Sequence, residues 1–180
     1  MKTNILDKRP IKLALIATYP EMSRIFLEMA REHEVEVEDI YASFEDAVAA
    51  AKKIERRVDG IVSRGGTCAM IRDGVASIPV VAMPITPFDL YLTLSKLHNP
   101  PKTVAFSNYA RKLYGVREIE ESLGLKVIEY TFRTKTDIYQ AIRDAKNKNV
   151  RMFIGGGVAA TEATKAGRTG IEINSGNEAI

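Results

Sequence analysis

The chain has 180 residues, of which 46% are hydrophobic and 27% are charged, a balance typical of a globular protein with one or two domains. Its net charge of +3 is too small to indicate a surface that wraps nucleic acid. One cysteine and two histidines exclude a disulfide framework and predict neither a metal site nor a cofactor. The polar N-terminus and the short apolar runs predict a cytoplasmic protein without membrane association.

The first half of the chain alternates predicted strands and helices. A tail over residues 1–10 precedes a first lobe over residues 11–85. Its strands are predicted at Ile11–Ala17, Val35–Tyr41, Gly60–Ser63 and Pro79–Met83, and its helices at Met22–Glu32, Phe44–Arg57 and Cys68–Val75. The apolar first and last strands predict burial on both faces, whereas alternation in the second predicts an edge strand.

A connecting helix is predicted within residues 86–100, since Thr86 suits an N-cap and Asp89 suits a capping box. It is apolar on most sides, which predicts burial between the lobes or between subunits. The second lobe covers residues 101–180, and a last helix opening at Ser175 is expected to be truncated. Its strands are predicted at Thr103–Ser107, Leu125–Phe132, Met152–Ile154 and Gly170–Ile173, and its helices at Tyr109–Leu123, Asp137–Lys148 and Val158–Lys165.

The two halves resemble each other. Glycine runs around Gly65 and Gly156 lie 91 positions apart, and the same offset carries Ala14 onto Ala105. Strand–helix alternation with short connections predicts parallel sheets with right-handed crossovers. The predicted fold is α/β, with two similar flavodoxin-like lobes, each a four-stranded sheet of order 2-1-3-4, and a cleft between them. Internal duplication is our hypothesis for this order.

Ligands of such folds bind at the carboxyl ends of the strands, beside helix N-termini that favour anions. Both glycine runs fall at such ends, which makes Gly65, Gly66, Gly156 and Gly157 candidate ligand contacts, although tight turns would also explain them. Arg64 is the candidate carboxylate anchor; a surface pair with Asp73 is the alternative. The remaining candidates are polar groups at or beside predicted strand ends: Thr67, Asn108, Tyr109 and Ser175.

Cys68 raises an enzymatic alternative. A cofactor-independent racemase or isomerase of small carboxylic acids needs a paired acid and base at one cleft. Here the offset carries Cys68 onto Ala159, so a second thiol is missing, and only Asp89 or Tyr109 could complete the pair. We expect no catalytic residue and interpret Cys68 as a packing residue.

Four segments in order resemble the N-terminal sensor domain of the propionate-catabolism activator, a sigma-54-dependent transcriptional regulator. They begin at Ser63 (SRGGT), Ser77 (SIPVV), Gly155 (GGGVA) and Ile173 (INSG), and the resemblance covers nearly the whole chain from Ile11. It implies a two-lobed receptor that binds a small organic acid like 2-methylcitrate between its lobes.

The resemblance also implies partners. A downstream AAA+ ATPase and a DNA-binding domain would connect this domain to sigma-54 RNA polymerase and DNA, and a homodimer is expected. Absence of a P-loop motif means that the chain itself is not the ATPase. Two further alternatives stay open: a flavodoxin-like nucleotide-binding module, which lacks a Gly-x-Gly-x-x-Gly pattern, and a dimerisation module with its seam at Phe88–Leu97.

Overall fold

The computed structural model describes residues 9–174, which form alternating strands and helices. The strands are β1 (Lys12–Ala17), β2 (Glu36–Tyr41), β3 (Gly60–Arg64), β4 (Val80–Met83), β5 (Thr103–Tyr109), β6 (Lys126–Phe132), β7 (Met152–Gly155) and β8 (Thr169–Glu172). The helices are α1 (Pro20–Glu32), α2 (Phe44–Ile54), α3 (Gly65–Gly74), α4 (Pro87–Ser95), α5 (Val116–Leu123), α6 (Lys135–Asn147) and α7 (Gly157–Lys165).

The strands form two four-stranded parallel sheets, in the orders β2-β1-β3-β4 and β6-β5-β7-β8. The predicted α/β fold and the order 2-1-3-4 in each half are confirmed. In the first lobe α2 and α3 cover one sheet face while α1 packs on the other. In the second lobe α6 and α7 cover one face, and α4 and α5 cover the other.

Two helices begin three or more residues away from their predicted starts. Helix α3 begins at Gly65, so the first glycine run forms the opening turn of the helix rather than a loop before it. Gly65 has φ +56°, which allows the chain to leave β3 and turn into the helix at once. Helix α5 begins at Val116, not Tyr109, because β5 continues to Tyr109 and residues 110 and 115 adopt left-handed conformations.

The prediction that β4 is buried on both faces is wrong. Val81 is 55% exposed, and Ala82 is exposed as well. In residues 9–174 β4 is the edge strand of its sheet, with β3 on one side and no strand on the other. The apolar sequence Pro79–Met83 therefore forms an edge strand with exposed apolar side chains.

Helix α4 follows β4 but belongs to the core of the second lobe, where Leu90 and Leu94 are buried against β5 and α5. Thr86 and Asp89 form the predicted capping box: the Thr86 side chain accepts from the Asp89 amide, and the Asp89 carboxylate accepts from the Thr86 amide. Phe88 on the same helix is 50% exposed, so the helix is not buried on every side. None of the helices in residues 9–174 has the length and apolarity needed to cross a bilayer.

Candidate functional site

The carboxyl ends of the two sheets meet at a cavity with about 470 Å³ of empty space, part of it open to solvent. The N-termini of α3 and α7 both open at this cavity, so the partial positive ends of two helix dipoles are directed to it. The lining residues come from both lobes: Thr18, Phe44, Arg64, Gly65, Gly66, Thr67, Ile85, Ser107, Asn108, Tyr109, Phe132, Ile138, Gly156, Gly157, Val158 and Ala159.

Arg64 ends β3 and is buried with 4% exposure, so the alternative of a surface arginine paired with Asp73 is wrong. Its Nη1 donates to the Tyr19 hydroxyl at 2.6 Å and to the Ile173 carbonyl, in the second lobe, at 3.2 Å. Its Nη2 lies 3.8 Å from an Asp89 carboxylate oxygen, and both side chains are at most 3% exposed. The guanidinium therefore holds contacts on both lobes and on α4.

Polar atoms at the cavity keep unused hydrogen-bonding capacity. Among residues 9–174, Arg64 Nε and Nη2 and Ser107 Oγ are buried without a hydrogen-bond partner. Such atoms are costly to bury unpaired, by about 1–3 kcal/mol each. Arg64 and Ser107 both line the cavity, from different lobes. This combination suits a bound group that accepts hydrogen bonds.

The cavity glycines have different surroundings. A Cβ atom at Gly157 would lie 2.9 Å from the Thr18 carbonyl oxygen, and one at Gly66 would lie 3.2 Å from the Tyr109 ring. Both glycines therefore permit a close approach between the lobes. In contrast, a Cβ at Gly156 would meet no described atom within 4 Å. Gly156 thus leaves its backbone open to the cavity.

Thr67 and Phe44 form a local pair at the cavity. The Phe44 amide donates to Thr67 Oγ1 at 3.4 Å, so this hydroxyl already accepts one bond from the protein. Phe44 has φ +50°, a left-handed conformation that is strained for a bulky residue. Its ring packs in the second lobe, with Lys135 Nζ 5.2 Å from the ring centre. Phe44 therefore belongs to the first lobe but packs its side chain into the core of the second.

Aromatic rings form a wall of the cavity. Tyr109 and Phe132 meet edge-to-face with their ring centres 5.8 Å apart. Asn108 stands beside them, 7% exposed, and its side-chain oxygen accepts from the Tyr109 amide at 2.9 Å. Asn108 also lines the cavity. The site thus combines apolar walls with a few fixed polar groups, as small-molecule sites commonly do.

The groups required by the enzymatic alternative are not assembled. Cys68 is 1% exposed and Asp89 is also 1% exposed, and neither lines the cavity, whereas Tyr109 does. Burial raises the pKa of the Cys68 thiol, although nearby Arg72 partly opposes this, so the neutral thiol is favoured. Within residues 9–174 no group of three or more His, Cys, Asp and Glu side chains is arranged to hold a metal ion.

The structure brings together at the cavity all the predicted site residues within the described range; Ser175 lies outside it. Eight lining residues were not predicted as ligand contacts, among them Thr18, Phe44, Ser107 and Phe132. Thr18 follows β1 and Ser107 belongs to the end of β5, so the strand-end rule could have selected both. Phe132 ends β6 and Phe44 follows β2, but nothing in their residue type indicates a ligand contact.

Residues 31–180 match the model of the propionate catabolism activator family. A crystal structure of an NtrC family transcriptional regulator from Clostridium acetobutylicum is 29% identical, with TM-score 0.86, and the match covers 96% of this chain and 91% of that one.

Two further solved structures are matched less closely. A periplasmic solute-binding protein of an ABC transporter from Actinobacillus succinogenes with bound D-allose is 13% identical, with TM-score 0.40, over 92% of this chain and 76% of that one. A carbohydrate transporter from Acidothermus cellulolyticus in complex with myo-inositol is 13% identical, with TM-score 0.36, over 91% and 73%.

Proposed function

Because this chain belongs to the propionate catabolism activator family and is a regulatory domain of that class of transcriptional activator, we propose that it senses a small organic acid. The effector binds in the cavity between the lobes and controls a downstream AAA+ ATPase. That ATPase and a DNA-binding domain make the contacts with sigma-54 RNA polymerase and DNA. The chain itself acts as a receptor without a cofactor.

The observation that carries this proposal is the set of buried donors at the cavity that have no hydrogen-bond partner. Arg64 Nε and Nη2 and Ser107 Oγ have no hydrogen-bond partner in residues 9–174. The N-termini of α3 and α7 supply further backbone donors on either side. A carboxylate can accept hydrogen bonds from several of these groups together. The apolar walls around Tyr109 and Phe132 favour a compact acid with a carbon skeleton of a few atoms.

The mechanism is a population shift between open and closed lobes. Tyr19 donates from the first lobe to the Ile173 carbonyl in the second at 3.1 Å, and Arg64 donates to the same carbonyl. These bonds exist only when the lobes are together. An effector that contacts Arg64 on one side and Ser107 or Gly156 on the other binds the closed arrangement better, and this differential affinity drives closure.

A thermal-shift titration with citrate and 2-methylcitrate tests the proposal. We expect a saturable rise in melting temperature, and a weaker rise in Arg64→Ala. Because Arg64 is buried among internal partners, that variant alone could simply unfold. Ser107→Ala avoids this problem, since it removes a hydroxyl without a partner and is expected to keep or increase stability while weakening acid binding about tenfold.

Ser63→Ala is the matched control. Ser63 is also a buried serine near the end of a central strand, but its hydroxyl donates to the Ile16 carbonyl at 2.8 Å and it does not line the cavity. We expect this variant to lose about 1 kcal/mol of stability and to keep its affinity for the acid. Equal affinities in the wild type, Ser107→Ala and Arg64→Ala would contradict the proposed site.

The expected homodimer is part of the same proposal, and the exposed side of α4 around Phe88 is its seam. Sedimentation of Phe88→Asp tests it: Phe88 is 50% exposed, so the substitution leaves the core of the second lobe intact. A wild-type dimer that becomes monomeric in this variant supports the seam. A wild type that sediments as a monomer at all concentrations contradicts it.

A further inference from the structure

The second lobe carries a row of cations at the amino edge of its sheet, the edge opposite the cavity. The strand registers, extended by one residue, align Lys126, Thr103, Arg151 and Arg168 across β6, β5, β7 and β8. Side chains in one such row point to the same face of the sheet. Ala105, two residues beyond Thr103, packs in the core beneath α6 and α7. The row therefore points to the face that these two helices cover.

The equivalent row in the first lobe has carboxylates where the second lobe has cations. Registers there align Glu36, Lys12, Asp59 and Ile78 across β2, β1, β3 and β4. The Asp59 carboxylate is already engaged, because it accepts from the Lys12 amide at 2.9 Å and pairs with Arg9. Since the same positions hold Glu36 and Asp59 in one lobe, the fold itself does not require cations at this edge.

The cations of the second-lobe row have no ion-pair partner. In residues 9–174, Lys126, Arg151 and Arg168 take part in no salt bridge. Lys126 and Arg151 are exposed, and Arg168 has a buried Nε without a hydrogen-bond partner. Lys126 and Arg151 also lie outside the last turns of α5 and α6, where a cation would stabilise a helix dipole. Their charge is therefore available to a partner.

A surface groove between α6 and α7 extends this cationic surface, because both helices end at the same edge of the sheet. The groove has about 690 Å³ of empty space, part of it open to solvent, and Arg143, Lys146 and Lys165 line it. Its one lining carboxylate, Glu162, pairs with Lys165 at 2.8 Å. Within the described part of the chain, Arg143 and Lys146 form no salt bridge. We define the basic face as Lys126, Arg143, Lys146, Arg151 and Arg168.

The first lobe carries an acidic segment at its edge strand β2. Residues 32–39 contain five carboxylates and no lysine or arginine. Two of the five have partners in the first lobe: Glu38 pairs with Arg57, and Asp39 accepts from Ser23. The other three are exposed and form no salt bridge in residues 9–174, and we define them as the acidic strip: Glu32, Glu34 and Glu36.

The basic face and the acidic strip lie at opposite ends of the molecule. The carboxyl ends of both sheets meet at the cavity, so the amino edges of the sheets face away from each other. The acidic strip is at the amino edge of the first sheet, and the basic face is at the amino edge of the second. The two surfaces therefore do not pair within one copy, and a partner bound at either one leaves the cavity accessible.

We infer that the basic face docks on the acidic strip of a second copy of this chain, in a head-to-tail contact. Unpaired opposite charges on the two surfaces make them complementary, which fixes the orientation of the copies and speeds their association. A nucleic acid fits less well, because the net charge of the chain is only +3. The contact joins unlike surfaces, so one copy binds a neighbour at each end, whereas the proposed seam at Phe88 joins like surfaces.

Charge reversal tests the inference by sedimentation velocity, without an organic acid. Every variant, the parent included, carries Phe88→Asp, so that the proposed seam does not contribute. We expect the parent to associate less as the salt concentration rises from about 50 mM to about 500 mM. Lys126→Glu with Arg151→Glu should weaken association about tenfold or more. Arg111→Glu with Lys112→Glu is the matched control, since it changes the net charge equally on exposed residues beyond the carboxyl end of β5, and it should leave association unchanged.

Mixing two reversed variants makes the test decisive. The second variant, Glu32→Lys with Glu34→Lys, reverses the acidic strip, and a lysine at the end of α1 suits the helix dipole. Each reversed variant then carries the same charge on both surfaces and should not associate with itself, whereas an equimolar mixture should associate as the parent does. A mixture that stays monomeric, or a Lys126→Glu and Arg151→Glu variant that associates like the parent, would overturn the inference. A monomeric parent whose basic face instead binds a short DNA duplex would also overturn it. None of these outcomes depends on the effector proposal.

Discussion

At the residue scale, adjacent glycines of one run have separable roles. Gly156 has φ −67° and open space at its Cβ position, whereas a Cβ at Gly157 would meet the Thr18 backbone at 2.9 Å. We expect Gly156→Ala to change the free energy of unfolding by less than about 1 kcal/mol and to weaken citrate binding about tenfold, since its methyl group occupies the cavity.

Gly157→Ala is the contrasting variant. Its methyl group forces the lobes apart, and we expect a loss of about 1–3 kcal/mol of stability, because the neighbouring atom is backbone and cannot rotate away. Urea unfolding and isothermal titration of both variants check these expectations. If Gly156→Ala bound citrate as tightly as the wild type, the backbone at Gly156 would not contact the acid.

The buried charge of Arg64 gives a second prediction at this scale. Asp89→Asn leaves the guanidinium buried without its nearby carboxylate, and we expect a loss of about 3 kcal/mol or more. Asp137→Asn is the matched control, because Asp137 has the same position in the capping box of α6 on an exposed surface. If urea unfolding showed equal losses of stability in the two variants, helix capping and not the pair of Asp89 with Arg64 would account for the effect.

Residue types and positions predicted half of the residues that line the cavity, but not the hydrogen bonds among them. Arg64, Asn108 and the glycines could be selected because they lie at strand ends. The partners of Arg64 come from Tyr19, Asp89 and Ile173, which are distant in sequence and meet only after both lobes have folded. Local sequence therefore could not distinguish a buried Arg64 from an exposed one.

At the element scale, the start of α6 predicts a pH dependence. Backbone amides of Arg133 and Thr134 donate to Asp137 and lower its carboxyl pKa below 3.8. A lowered pKa stabilises the folded state above the ordinary value, and this stabilisation is lost as the pH falls through the lowered value. We expect Asp137→Asn to flatten the acid side of the melting-temperature profile.

The measurement is the melting temperature between about pH 2 and pH 6. The wild type is expected to exceed Asp137→Asn at the upper end, and the difference should close at the acidic end. Asp46→Asn serves as the control, because Asp46 is an exposed carboxylate in the first turn of α2. Parallel profiles of the wild type and Asp137→Asn would contradict the prediction.

Element boundaries were harder to predict than element types. Every strand and helix of residues 9–174 was expected in the right order, because apolar periodicity identifies type well. The predicted start of α5 was wrong because Ala110 adopts φ +59° and Leu113 is buried. Both features are set by the packing of the second lobe. Similarly, the exposure of β4 depends on which helix covers the sheet, and the sequence of the strand itself carries no such information.

At the scale of the whole molecule, Glu172 couples the arrangement of the lobes to pH. Burial raises the pKa of this carboxyl group, at the end of β8. Its charge in turn raises the pKa values of Tyr19 and Tyr41 in the first lobe, beyond the larger effect of burial on both, so the charge of Glu172 acts between the lobes. Closure of the lobes therefore favours the neutral carboxyl group.

A raised carboxyl pKa contributes stability below the ordinary value of 4.5, and this contribution is lost as the pH rises through the raised value. We expect Glu172→Gln to be more stable than the wild type at pH 7, by less than about 1 kcal/mol because the group stays partly exposed. Near pH 4 the two should be equal. Exposed Glu34→Gln is the control, and a Glu172→Gln curve parallel to the wild type from pH 4 to 7 would show that the cleft does not favour the neutral carboxyl group.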